Sequence, residues 1–485
     1  MPRTFFGHPA AFSSLFFTEL WERFSYYGMR ALLVLFLVGA VQSGGMGLDD
    51  RSATAIYGLY TAGVYIMSLP GGWYGDRVLG GQRAVLFGAI GIAVGHGVLA
   101  VAKDLADFCV GLAIIVLGTG LLKPNIAALV AALYPEGGAR RDAGFTFFYL
   151  SINIGAFIGP LVTGALALRY GWHVGFAAAA LGMGAGAIYF WLTRRRLGTA
   201  GRGMIAPAGS RNERNFGTFI AVVLLAVIAG IYAGFVRLDA VGLQQGAIYV
   251  LLALSLGYFV YLFAFAGLDR SERRKMWVVL ALCAASTVFW SGFEQAGSSL
   301  NLFAERYTDR IVGAFTIPTA WFQSLNSTFI ILFAPMFSVL WIRLGRYGHD
   351  LSPVTKFALG LLGMGGGFLV MAAAARIVAG GELAAPTWLL LTYLLHTWGE
   401  LALSPVGMSA VSQLVPHRYV GQSMGLWYST LALGNLLASR IAGEFDDRNV
   451  AAMPAQYLRI FWYGAIAAAV LIALLPLLRR ASRPR

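Results

Sequence analysis

The stretch ELWERFSYYG, residues 19–28, places two acids and an arginine inside an apolar segment that extends over residues 12–38. Spacings of three and four residues put its polar side chains, and Arg30 beyond them, on one stripe of a helix. Charged side chains are costly against lipid, so the stripe must line an aqueous cavity or the interior of a helix bundle. The stripe consists of Glu19, Glu22, Arg23, Tyr26 and Arg30.

The composition of the whole chain indicates a membrane protein. Of its 485 residues 58% are hydrophobic and only 12% are charged, whereas about 25% are charged in an ordinary soluble domain. The mean hydropathy is +0.70, which excludes a soluble globule and intrinsic disorder. The two cysteines, Cys109 and Cys283, provide neither a disulfide framework nor the spacing of metal ligands. We therefore expect a polytopic membrane protein.

The apolar segments predict fourteen membrane spans, since a bilayer core of about 30 Å needs roughly 20 residues per helix. They lie near residues 12–38, 53–74, 84–102, 108–133, 144–168, 174–193, 217–236, 246–267, 276–303, 318–342, 354–375, 387–413, 422–442 and 457–478. An even number of spans places both chain termini on the same side of the membrane.

The net charge of +14 resides in short segments between the spans. Arg194–Arg196, Arg270–Lys275 and Arg479–Arg480 are examples, and they fall on the side that the N-terminus would share. Lys and Arg are retained in cytoplasmic loops, so we expect the N- and C-termini to be cytoplasmic. Nucleic-acid binding would need a basic face on a soluble domain. The short connections provide no such domain, so we expect no nucleic-acid partner.

Two polar breaks divide the spans into groups of six, two and six. The longest break covers residues 194–216, and a second covers residues 269–275. The two spans between them carry no charge. We therefore predict an N-terminal six-helix bundle over residues 1–193, linkers with two extra helices over 194–275, and a C-terminal six-helix bundle over 276–485. Two six-helix halves around a site near the membrane midplane are typical of major facilitator transporters.

Eight ionisable residues fall inside the predicted spans, and their charges sum to zero. Each of the basic ones costs at least ~2.5–3.5 kcal/mol at the centre of a helix. Buried ion pairs that only fix helices together would explain such a set, and so would a substrate or proton pathway, which is the more frequent use inside a bilayer. The eight are Glu19, Glu22, Arg23, Arg30, Lys123, Glu294, Glu400 and Arg440.

The sequence resembles the proton-dependent oligopeptide transporter (POT) family of the major facilitator superfamily. Residues 19–28 match that family's first-helix signature, GGWYGDR at 71–77 its turn between the second and third helices, and FFYLSINIG at 147–155 its fifth-helix signature. FQSLN at 322–326 and the segment around Gly399, Glu400, Ser404 and Pro405 resemble its C-terminal half. The resemblance implies an all-α polytopic fold of fourteen transmembrane helices, with two helices inserted between the halves as in bacterial members.

The resemblance also implies roles for individual residues. Glu19, Glu22 and Arg23 correspond to the proton-coupling motif, while Arg30 with Glu294 and Lys123 with Glu400 correspond to salt bridges between the bundles. Asp76 and Arg77 correspond to a cytoplasmic gate. The implied peptide pocket contains Arg23, Tyr26, Tyr27, Tyr65, Lys123, Asn153, Glu294, Asn326, Glu400 and Trp427.

Several of these residues have simpler explanations. Tyr26, Tyr27 and Trp427 are also expected as packing residues, and Asn153 and Asn326 as hydrogen-bonding links between helices. Animal members of the family use a histidine in the second helix, and that span contains none here. His396 shares a helix face with Glu400, yet a packed neutral imidazole explains it better. We therefore expect carboxylates to carry the coupling protons.

Together these features predict a proton-coupled symporter that imports di- and tripeptides by alternating access. A peptide is a zwitterion with fixed ends, so charges in both halves can bind those ends while the side chains vary. Transport of another solute, such as the anions carried by plant members, is the alternative. A membrane enzyme is not expected, since no HExxH motif or nucleophile–histidine pattern occurs. We expect a monomer in a bacterial inner membrane, with protons as the coupling ion and no other cofactor.

Overall fold

The computed structural model describes residues 4–203, 230, 239–347, 351–445 and 449–482. Its contacts divide the chain into two compact units. Unit 1 contains residues 1–48 and 63–239, and unit 2 contains residues 49–62 and 240–485. The helix that starts at Asp50 therefore contributes its first half to unit 2 and its second half to unit 1. The three-part division predicted from the sequence stays a prediction.

The first part of the chain folds into six long helices preceded by a short hairpin. A π-helical turn, Gly75–Leu79, connects the second and third helices. The elements are β1 (Thr4–Phe5), β2 (His8–Pro9), α1 (Phe12–Val38), α2 (Asp50–Tyr74), α3 (Gly81–Val101), α4 (Leu105–Ala132), α5 (Gly138–Tyr170) and α6 (Trp172–Thr193).

The remaining described part of the chain is also helical, apart from one small hairpin. Its elements are α7 (Ala240–Ala264), α8 (Arg270–Phe293), α9 (Ser299–Arg306), β3 (Ile311–Val312), β4 (Phe315–Thr316), α10 (Ser324–Arg346), α11 (Pro353–Ala379), α12 (Pro386–Leu414), α13 (Val420–Ala442) and α14 (Met453–Ser482). The hairpins β1–β2 and β3–β4 are antiparallel.

Every predicted span within the described residues falls on a helix, and the span predicted near 217–236 lies outside them. Among the described residues, nine segments are long and apolar enough to cross a membrane. The predicted span 276–303 lies within one of these segments, Arg270–Arg306, which is not a continuous helix. It is two helices, α8 and α9, separated by the 3-10 turn Glu294–Gly297.

Side chains satisfy the backbone at this interruption. The amide of Gln295 donates to the carbonyl of Ser291 at 3.2 Å and to that of Ala438 at 2.9 Å. The hydroxyl of Tyr393 donates to the carbonyl of Ala296 at 3.4 Å. An unsatisfied carbonyl costs several kcal/mol in a membrane interior, so a break is tolerated only where the surrounding protein supplies such donors.

Glycines on α5 and α6 let α1 pack at close range. A Cβ at Gly155 or Gly159 would collide with the backbone carbonyl of α1 that each glycine faces. One turn further along α5, the hydroxyl of Thr163 donates to the carbonyl of Gly28 at 2.9 Å. Helices in a membrane associate through close packing and not through the hydrophobic effect, and small residues at the interface permit that packing. The packing fixes the rotation of α1 and therefore the direction of its polar stripe.

The N-terminal hairpin closes one end of unit 1. His8 is buried, and its Nδ1 lies 2.7 Å from the hydroxyl of Tyr134 at the end of α4. Burial, with a smaller contribution from Arg140, lowers the pKa of His8 below its ordinary value of 6.5. The imidazole is therefore neutral at pH 7, and its Nδ1 can accept a hydrogen bond from the tyrosine hydroxyl.

Candidate functional site

The polar stripe of α1 forms a buried charge cluster in unit 1. Arg23 forms ion pairs with Glu19, at 3.2 Å between Nε and Oε1, and with the neighbouring Glu22. Exposure of the three residues is 5%, 2% and 0%, respectively. A cationic guanidinium between two carboxylates compensates one negative charge and leaves the second for another cation or a proton. The structure brings these three residues into contact, and their role in coupling stays a prediction.

The cluster is incompletely hydrogen-bonded within the described residues. Glu19 Oε2, Glu22 Oε1 and Arg23 Nη2 are buried and have no hydrogen-bond partner there. Buried polar atoms are nearly always paired, and exceptions concentrate at functional sites. The two unpartnered carboxylate oxygens can accept a proton. The unpartnered guanidinium nitrogen can donate hydrogen bonds to an anionic group. The arrangement thus suits protonation coupled to the binding of a carboxylate.

Aromatic rings lie over three cations in the predicted spans of unit 1. The guanidinium carbon of Arg23 lies 5.2 Å from the centre of the Tyr26 ring, and that of Arg30 lies 5.8 Å from the centre of the Tyr27 ring. Lys123 Nζ lies 4.3 Å from the ring centre of Tyr65. Cation–π contacts of this kind contribute about 0.5–2 kcal/mol, with the larger values in desolvated sites. The three tyrosines therefore stabilise charges as well as fill space.

Lys123 belongs to a tightly packed region between α2 and α4. Gly72 lies against Pro124, with 3.3 Å between its ideal Cβ position and Pro124 Cβ. The amide of Asn125 donates to the carbonyl of Gly71 at 3.2 Å and to that of Leu121 at 2.7 Å. Sequence reasoning missed Asn125, although its position two residues after an intramembrane lysine was a usable signal. These contacts fix the start of the turn that carries Asp76.

The predicted gate residues Asp76 and Arg77 lie in the π-helical turn after α2 and are half-buried. Gly75 precedes them and approaches the Asn125 side chain so closely that a Cβ would collide with it. Asn153, predicted for the pocket, is buried on α5, and its amide donates to the carbonyl of Tyr149 one turn earlier at 2.9 Å. A gate or pocket function for these residues stays a prediction.

In unit 2, Glu400 on α12 faces Asn326 on α10. The Asn326 amide donates to Glu400 Oε2 at 2.9 Å and to the hydroxyl of Thr397 at 3.1 Å. Asn326 and Glu400 are half-buried. The sequence predicted both for the pocket but not their contact, because they lie far apart along the chain. The amide holds the carboxylate in place without neutralising it.

Glu294 lies at the break between α8 and α9 and is 3% exposed. The hydroxyl of Tyr57 lies 3.5 Å from Glu294 Oε2, and a Cβ on Gly297 would collide with that hydroxyl. Sequence reasoning missed Tyr57, because an uncharged aromatic in an apolar span carries no distinguishing signal. The predicted acid therefore lies where the helix is interrupted. Interrupted helices are common at the substrate sites of transporters.

The start of α2 also binds the end of α9 within unit 2. Arg306 forms a two-point ion pair with Asp50, at 2.6 Å and 2.7 Å between nitrogen and oxygen atoms. Sequence reasoning counted both residues only as loop charges. Two parallel hydrogen bonds make this geometry more specific than an ordinary surface ion pair.

Trp427 and His396 pack in the interior of unit 2. The Trp427 ring centre lies 6.2 Å from that of Phe357, and the indole fills the space beside Gly407. His396 is 1% exposed, and its ring centre lies 4.9 Å from that of Phe368. Both residues therefore have packing functions in the structure. The predicted pairs Arg30–Glu294 and Lys123–Glu400 join residues of different units and stay predictions.

The chain is similar to known proteins over most of its length. The sequence profile of the POT family matches residues 82–459. The chain is 42% identical to the peptide transporter YePEPT of Yersinia enterocolitica, over 99% of this chain and 96% of the relative. It is 34% identical to a di-/tripeptide transporter of Lactococcus lactis subsp. cremoris, over 91% of each chain.

Solved structures agree with these relatives. A mutant peptide transporter POT crystallised with alafosfalin is 38% identical and gives a TM-score of 0.92, covering 100% of this chain and 98% of that one. The protein is thus an all-α, membrane-spanning transporter with the major facilitator fold, and not an enzyme. It belongs to the POT family.

Proposed function

We propose that this protein is a proton-coupled symporter that imports di- and tripeptides by alternating access. Its relatives are named peptide and di-/tripeptide transporters, and a similar structure holds alafosfalin. We further propose that it works as a monomer in a bacterial inner membrane, with both termini in the cytoplasm. Protons are its coupling ion, and it uses no other cofactor.

The buried Glu19–Glu22–Arg23 cluster is the observation that carries this proposal. A peptide carboxylate that binds the free Arg23 Nη2 competes with Glu22 for the guanidinium. Three carboxylates then face a single guanidinium, and a proton bound by the cluster offsets the added negative charge. Peptide binding and proton binding then favour each other. A ligand shifts a conformational equilibrium only through such differential contacts.

The opposite end of the peptide needs a carboxylate, and Glu400 supplies it. The Asn326 amide donates to Glu400 Oε2 and fixes the position of this carboxylate, which can accept a hydrogen bond from the ammonium group of a peptide. Lys123 assists Arg23 at the carboxylate end. The peptide side chains then have no fixed partner, which suits a transporter that accepts many sequences. Tyr26, Tyr27 and Tyr65 provide a surface with apolar rings and polar hydroxyl groups beside the cations.

Uptake of labelled dialanine into proteoliposomes tests the function, with and without an inwardly directed proton gradient. We expect accumulation above the external concentration only when the gradient is present. Glu22→Gln fixes the neutral form of the side chain and should abolish this accumulation while leaving peptide counterflow in place. Glu444→Gln is the matched control, since Glu444 pairs with Arg459 at the exposed surface. It should behave like the unmodified protein.

Two outcomes would contradict the proposal. Accumulation that does not depend on the proton gradient would exclude proton symport. Nitrate or another anion that is accumulated while dialanine is not would indicate the alternative substrate class. If Glu22→Gln still concentrates dialanine, the function stands and the assignment of the coupling residue is wrong.

A further inference from the structure

Four arginines converge at one end of unit 1, away from the charge cluster of α1. An open pocket of about 290 Å³ is lined by Gln82, Arg83, Arg194, Arg195 and Arg202. Within the described part of the chain, this lining contains no carboxylate. We call it the arginine pocket. So many like charges in one concavity repel each other unless an anion binds among them.

The walls of the arginine pocket are held in a defined arrangement. Gln82 is 6% exposed, and its amide donates to the carbonyls of Gly198 at 3.3 Å and Ala200 at 2.7 Å. Its backbone N–H donates to the carbonyl of Gly201 at 3.0 Å. These three bonds fix the loop after α6 onto the start of α3. Arg202 on that loop therefore shares the pocket lining with Arg83 at the start of α3, and the pocket is part of the fold.

Exposed apolar side chains lead directly to the pocket along α3. From Arg83, the same helix face continues through Phe87, Ile90 and Val94, which are 50%, 44% and 51% exposed. Their spacing of four, three and four residues makes a continuous stripe. An exposed apolar stripe on a membrane helix faces lipid tails. Arg83 therefore lies where that lipid-facing surface meets the polar boundary.

The neighbouring helix α6, which packs along α3, shows the same transition. Ile188, Trp191 and Leu192 are 60%, 56% and 62% exposed in its last turns. Arg194 and Arg195 follow immediately. Exposed tryptophan is enriched at the level of lipid headgroups. The pocket thus opens at headgroup level, between two surfaces that acyl chains cover.

We propose that the arginine pocket binds the phosphate headgroup of an anionic membrane lipid. Guanidinium groups bind phosphate oxygens through paired, charge-assisted hydrogen bonds. The adjacent apolar stripes bind the acyl chains of the same molecule. A free phosphate ion shares the headgroup chemistry but gains nothing from those stripes, so the structure favours the lipid. Lipid binding here holds the ends of α3 and α6 together with the loop fixed by Gln82.

The test measures lipid retention by native mass spectrometry of the full-length protein in neutral detergent. Phosphatidylglycerol and phosphatidylcholine are supplied separately, and inorganic phosphate is added as a competitor. The pocket variant is the double substitution Arg83→Gln with Arg202→Gln. The control is Arg273→Gln with Arg274→Gln, which removes the same charge from exposed positions at the start of α8 in unit 2.

We expect phosphatidylglycerol to bind the unmodified and control proteins and to bind the pocket variant about 25-fold more weakly, at about fivefold for each arginine. Phosphatidylcholine should bind more weakly, and millimolar phosphate should not displace the anionic lipid. If the double variant does not fold, the single substitution Arg202→Gln, on an exposed loop, should weaken the binding of phosphatidylglycerol about fivefold. Equal losses in pocket variant and control would overturn the proposal, and so would displacement by phosphate or equal binding of the two lipids.

Discussion

Glu400 is a carboxylate whose orientation is set by an uncharged partner, the Asn326 amide. Substitution with glutamine keeps the size of the side chain and an oxygen for that amide, and removes only the charge. A hydrogen bond to a charged group contributes roughly 1.5–3 kcal/mol. Glu400→Gln should therefore lower the affinity for dialanine about tenfold or more. Competition against labelled dialanine in proteoliposomes measures this loss.

N-acetylated dialanine supplies the control for this prediction. It lacks the ammonium group, so Glu400→Gln should barely change its already poor affinity. If Glu400 serves only to support Lys123, both ligands should lose affinity equally. Parallel competition curves with equal shifts would thus dispose of the assignment of Glu400 to the peptide amino terminus.

Charged residues could be predicted from the sequence and their uncharged partners could not. A carboxylate within an apolar span is costly wherever it lies, so Glu22 and Glu294 were identifiable without a structure. Tyr57 and Asn125 carry no such cost in the sequence. Their importance comes from the atoms opposite them, Glu294 Oε2 for Tyr57 and the carbonyl of Gly71 for Asn125. Those atoms are brought near only by folding.

At the scale of helices, α1 and α5 meet through glycine. Gly159→Ala would place a Cβ against the backbone carbonyl of Phe24, which cannot move without displacing α1. Overpacking of this kind costs typically 1–3 kcal/mol. We expect a lower midpoint of thermal unfolding for the purified protein, followed by intrinsic tryptophan fluorescence, together with weaker peptide transport.

Gly184→Ala is the matched control for that substitution. Gly184 lies on α6, and within the described residues nothing approaches its ideal Cβ position within 4 Å. The same chemical change should leave the midpoint unchanged or raise it slightly, since alanine is the better helix former. A similar decrease for both variants would show that close packing of α1 on α5 is not the cause.

The helices themselves were predictable, and their interruptions were not. Hydropathy alone predicted the bounds of α1, 12–38. The break at Glu294–Gly297 lies inside a predicted membrane span and contains no proline. The side chains of Gln295 and Tyr393 donate to carbonyls at the break, those of Ser291 and Ala296, and so compensate for missing helical bonds. Such compensation depends on helices that are distant in sequence.

For the whole molecule, the distribution of Lys and Arg predicts the orientation in the membrane. In a variant without Cys109 and Cys283, single cysteines at two exposed positions report on the two sides. Arg140→Cys, at the start of α5, should react with an impermeant maleimide only after the cells are permeabilised. Asp309→Cys, in the loop after α9, should react in intact cells. The reverse pattern would contradict the proposed orientation and place the arginine pocket in the outer leaflet.

The ion pairs of Arg23 lie within a single helix, and this bears on how the protein is made. The first helix emerges from the ribosome before α5 and α6 exist, and N-terminal segments fold first during synthesis. Glu19 and Glu22 are already within reach of Arg23 at that stage, so they offset the insertion cost of the arginine before any other helix is present. Removing either acid should therefore lower the amount of protein inserted into the membrane as well as the rate of transport. The amount of protein in the membrane belongs beside every uptake rate measured for such variants.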